Sequence, residues 1–177
     1  MSFTLQLLDS HWVLEEEDYP IDLCSHGYVI AAIGNEILCD RDSDAVTTSA
    51  AALHLMRTLK HDYKPNTFAG QLLPCCGHFM TAANDTLLQV HLHGCLHGID
   101  WFVNHLDDMV VLASEKGTVV HISFENYKQQ ILAFADAVEN FYTVSSPKIM
   151  PDDDFDRNGY IAFWNEWRIL RDGFNLR

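Results

Sequence analysis

Apolar and polar residues follow two periods along this chain, one of two residues and one of roughly 3.6, and the changes between them outline the elements. FTLQLL, residues 3–8, alternates as a half-buried strand does. GYVIAAIGNEILC, residues 27–39, sets Gly34-Asn35 between two apolar runs and predicts a hairpin. From Ser43 to Lys60 the apolar positions Ala45, Val46, Ala52, Leu53, Leu55, Met56 and Leu59 return at helical spacing, with Asp42 or Ser43 placed to cap the first turn. Residues 61–85 are broken by Pro65, Gly70, Pro74, Gly77 and Asn84, and read as loops around one apolar piece, QLLPCCGHFM.

The alternating pattern then resumes in LLQVHLHG, IDWFVNHL, MVVLAS and TVVHIS, the last two joined by Glu115-Lys116-Gly117. Four such runs in succession between residues 86 and 123 predict an antiparallel meander. Ser123 stands as N-cap to a helix over 124–142, in which Tyr127, Ile131, Phe134, Val138 and Phe141 make one stripe. A last helix is expected over 160–172, carrying Phe163, Trp167 and Leu170 on one side and Ile161, Trp164 and Ile169 on the other. Strands grouped together, with helices at intervals, predict an α+β class, and 177 residues fit a single globular domain, 1–177.

Charge narrows the function. Eleven basic residues stand against 25 acidic ones, a formal charge of −14, which opposes binding to nucleic acid or to an anionic membrane and favours a basic protein or a cation. The first 20 residues show no basic export signal, and no run approaches the roughly 18 apolar residues of a membrane helix, so a cytoplasmic protein is expected. Five cysteines in such a compartment are expected as buried thiols rather than a disulfide framework.

Two stretches suggest a cofactor. In HLHGCLHGIDW, residues 91–101, period two puts His91, His93, Cys95 and His97 on one face and a core pattern on the other. Two or three of them, with the Cys75-Cys76-Gly77-His78 turn, supply the donor types of an open zinc site, although Gly94 stands where it would break the strand. Without metal, the same residues are the polar face of a half-buried strand.

Asp154, Asp156 and Asn158, followed by Gly159 and Ile161, reproduce the opening spacing of a calcium loop. The closing bidentate Glu is missing, since Asn165 stands there and Glu166 comes one place late. The competing reading is a solvated acidic turn in which Asp156 or Asn158 caps the last helix. No GxSxG elbow, phosphate-binding P-loop or dinucleotide fingerprint is present, so a binding role is expected before a catalytic one.

FYTVSSPK at 141–148 and DDDFDRNGYIAFWNEW at 152–167 resemble the small acidic bacterial immunity proteins, over the last third of the chain. The resemblance implies a protein-binding module that blocks a basic partner such as a nuclease toxin. It carries no motif that assigns individual binding residues.

Overall fold

A computed structural model describes residues 2–14, 18–65, 70–75, 79–95 and 97–174. Its first sheet is antiparallel: β1 (Phe3–Leu7), β2 (Val29–Ile33) and β3 (Glu36–Cys39), in that spatial order. Gly34, at φ +61°, makes the expected hairpin turn between β2 and β3. The expected helix is shorter than its pattern, α1 running Thr48–Arg57. Asp42 and Ser43 do not cap it: the Ser43 hydroxyl is turned onto Asp40, closing a separate turn, and Thr47 is the N-cap. Side chain–backbone bonds of this kind compete with helix in Ser- and Asp-rich stretches.

The broken region holds two short strands, β4 (Leu73–Pro74) and β5 (Phe79–Ala82). Then come β6 (Val90–His93) and β7 (Gly98–Ile99). The meander proper is β8 (Trp101–Leu106), β9 (Met109–Ser114) and β10 (Val119–Ser123), with Gly117 at φ +92° in the second turn. The expected fourth strand of that meander, in LLQVHLHG, pairs instead with β5, Met80 opposite Leu92, while β4 pairs with β7. Gly94 ends β6 as anticipated, which frees the next residues to turn toward β4. The result is α+β, with three helices and four small antiparallel sheets among the described residues.

Helix α2 (Phe124–Val144) begins at Ser123, whose hydroxyl accepts the Asn126 N–H, and buries Tyr127, Ile131, Phe134, Ala135 and Val138. It lies on β1 and α1. The Phe3 ring sits 5.9 Å from Trp101 and 5.7 Å from Tyr127, so one aromatic contact joins the first sheet, the meander and α2. Helix α3 (Asp154–Asp172) starts one and a half turns before the expected position, because Asp153 accepts the Phe155 and Asp156 N–H groups as N-cap. Its Phe163, Trp167 and Leu170 enter the core, whereas Ile169 on the other side is exposed.

Candidate functional site

Helix α1 presents His54 and Arg57 three residues apart on one side, and His61 follows in the turn beyond its end. Strand β6 faces them with His91 and His93, both exposed, while Val90 and Leu92 between them are buried. These side chains, with Tyr63, line an open cleft of about 420 Å³. Four imidazoles therefore converge on one hollow of a strongly acidic chain. His91 and His93 are legible in the sequence as one strand face, whereas His54 carries only its helical spacing to Arg57 as a signal and His61 carries none.

Arg57 is not free to meet a ligand there. Its Nε and Nη2 donate to Glu166 Oε1 and Oε2 at 2.7 and 2.8 Å, and Nη2 also donates to the Val90 carbonyl at 2.6 Å. Glu166 Oε2 accepts the Val90 N–H at 2.8 Å. This clamp fixes α1, α3 and β6 together and so sets the distance across the cleft. The opposite wall is fixed by Tyr63, whose backbone pairs with Val103 and whose hydroxyl donates to Asp100 Oδ2 at 2.9 Å. Asp100 also accepts the Leu72 and Trp101 N–H groups. Burial nevertheless dominates, and pushes its carboxyl up to about 6.

The zinc reading takes His91 and His93 as two ligands, with a third from Cys95, His97 or the Cys75–His78 turn. The structure splits them. His91 and His93 point outward from β6, their rings 6.2 Å apart, and His93 Nε2 contacts the Thr81 hydroxyl at 3.0 Å. His97 is exposed beyond the end of the strand. Cys95 turns to Cys75, with the two Sγ atoms 2.8 Å apart. Cys76, Gly77 and His78, the rest of the turn invoked for zinc, lie outside the described residues. Among the described residues no group of three histidines, cysteines or carboxylates is arranged to hold a metal ion.

The calcium reading is corrected by the helix. Asp154, Asp156 and Asn158 occupy the first turns of α3, where side chains two residues apart diverge by about 200° and cannot converge as they would from a loop. The Asp154 and Asp156 carboxylates sit instead near the positive end of the helix, and Asp154 pairs with Arg157. Gly159, read as the sharp turn of the loop, has another purpose. A Cβ there would lie 2.0 Å from the Met80 carbonyl oxygen, so glycine lets α3 lie directly against β5.

That contact creates a second surface. Phe79 on β5 and Phe155 on α3 are 49% and 57% exposed, and their rings lie 5.6 Å apart. Asp152, Asp153 and Asp154, all exposed, immediately precede Phe155 in the chain. On the other side the Phe79 ring approaches His93 at 6.3 Å. An aromatic pair left in water next to an acidic run of the chain is suited to receive apolar stems with cationic ends, as lysine and arginine have.

Among the described residues no helix is long and apolar enough to cross a membrane. In comparisons with known proteins no family model, no curated protein and no solved structure matches this chain.

Proposed function

We propose that this chain is an acidic protein-binding module of the cytoplasm that inhibits a basic partner, such as a nuclease toxin domain, by covering its anion-binding surface. The observation that carries this reading is the exposed Phe79–Phe155 pair, with the exposed run Asp152, Asp153 and Asp154 directly ahead of Phe155 in the chain. Exposed aromatics supply the anchors of an interface, and the acidic run that leads into Phe155 supplies attraction toward lysine and arginine. A formal charge of −14 adds long-range steering toward a positive surface. The resemblance of residues 141–148 and 152–167 to immunity proteins supports the same class, and places the likeness on the segment that contains Phe155.

Affinity purification from the native cell at low salt, followed by binding measurements with the recovered protein, tests the proposal. The expected partner is basic and its affinity falls as salt rises. Phe79→Ala/Phe155→Ala weakens it at least tenfold, the scale of losing interface anchors. Recovery of no basic protein, or binding that is insensitive to salt and to the double substitution, overturns the proposal.

A further inference from the structure

We propose that Cys75 and Cys95 are the site of a reversible disulfide that closes the chain around the β5–β6 hairpin. Their sulfurs, 20 residues apart in sequence, lie 2.8 Å apart, inside the roughly 3.6 Å of an ordinary sulfur–sulfur contact and within easy reach of the roughly 2.05 Å bond. Both residues are thiols and both are half-buried at the surface. Cys24 and Cys39, in contrast, are buried in the core, and burial pushes the Cys39 thiol up to about 11, away from the reactive thiolate.

The backbone holds the pair in place. Leu73 lies opposite Ile99 and Pro74 opposite Gly98, and the Cys75 N–H donates to the His97 carbonyl at 3.1 Å. A Cβ at position 98 would come within 2.6 Å of the Leu73 carbonyl oxygen, so glycine is what allows the two segments to approach. The thiols are thus aligned by a short ladder that does not depend on the bond between them.

A low-molecular-weight disulfide such as glutathione disulfide serves as oxidant. One cysteine, having lost its proton, attacks it, forms a mixed disulfide and expels one glutathione thiolate. The second cysteine, deprotonated in turn, attacks the protein-bound sulfur and expels the other. Two electrons pass from the two cysteines to the oxidant, and their two protons end on two glutathione molecules. In a reducing compartment the bond forms only when that pool becomes oxidised.

The hairpin inside the closed loop carries Phe79 and His93. An effect on partner binding therefore rests on the interface reading above, whereas formation of the bond does not.

The test oxidises the full chain with glutathione disulfide, blocks remaining thiols and cleaves before aspartates. Cuts at Asp62, Asp85 and Asp100 put Cys75 and Cys76 on one peptide, 62–84, and Cys95 on another, 85–99. The expected result is a linked 62–84/85–99 pair that reduction separates. It persists in Cys76→Ser, disappears in Cys75→Ser and Cys95→Ser, and raises the thermal midpoint of the unsubstituted protein by about 5–10 °C. Mapping of the unsubstituted protein and of Cys76→Ser decides the matter even if the other variants do not fold. Absence of the linked pair, its loss in Cys76→Ser, or stoichiometric zinc that must be removed before oxidation proceeds would each overturn the assignment. None of these outcomes depends on a partner.

Discussion

The meander β8–β9–β10 and the hairpin β5–β6 are both small antiparallel sheets, yet they are held by different means. In the meander, alternate residues such as Val103, Val110, Leu112 and Val120 are fully or almost fully buried, and neighbouring strands are joined by short turns. Its register follows from period two alone. The hairpin buries only Met80, Val90 and Leu92 strongly, and is held from outside by the Arg57–Glu166 clamp and by α3 pressed against Met80. One sheet is an outcome of local pattern. The other depends on residues far along the chain.

Substitutions sharpen that contrast. The largest loss is expected from Trp101→Ala, which empties the aromatic contact among Phe3, Trp101 and Tyr127 and costs about 3–5 kcal/mol in urea unfolding, in one cooperative step. Glu166→Ala comes next. It removes the acceptor of the Val90 N–H and leaves the Arg57 guanidinium without its carboxylate, for about 2–4 kcal/mol, reduced because the Arg57 side chain keeps 30% exposure. Amide exchange should then quicken in residues 79–93 well before it does in 101–123. Equal quickening in both sheets would show that they share one mode of support.

Asp100 gives the smallest effect and one with a definite sign. Its folded carboxyl is raised to about 6 from 3.8, so the folded chain holds this proton more tightly than the unfolded chain does. Its contribution is therefore most favourable below pH 4 and declines as pH rises toward 6, by about 1 kcal/mol once partial exposure is discounted. Asp100→Asn keeps an oxygen acceptor for the Leu72 and Trp101 N–H groups while removing the charge. The difference in stability between variant and parent should move in the variant's favour by that amount from pH 4 to pH 7. A flat difference would mean that the Tyr63 and backbone donors already compensate the burial.

Legibility in the sequence follows the same division. The hairpin at Gly34, the Glu115–Gly117 turn, the Ser123 cap and the stripe of α2 were all readable, because each is decided by residues within a few positions of one another. The pairing of VHLH with FMTA was not. Period two identifies a strand but not its neighbour, and β5 and β8 stand equally far from β6 along the chain, so sequence distance does not choose between them. The start of α3 was missed because Asp-rich spacing fits a loop as well as it fits an N-cap. Only the packing of Gly159 on Met80 separates the two.

The candidate sites show a related limit. His91 and His93 share one outward face as expected, yet their neighbours in the cleft come from α1 and the segment that follows it, well before them in the chain. Cys95 was grouped with those histidines by alternation. The break at Gly94 gave it a different partner, Cys75.

The clamp between Glu166 and Val90 also has a consequence in time. The two residues are 76 positions apart, and α3 emerges from the ribosome long after β5 and β6. Until it arrives, the Met80 and Val90 side of the hairpin has no cover and β6 lacks the acceptor for its first N–H. At about 5–20 residues per second, this part of the nascent chain waits several seconds for its support. The face bearing Phe79 therefore becomes a defined surface late, when the segment that brings Phe155 to it has itself been made.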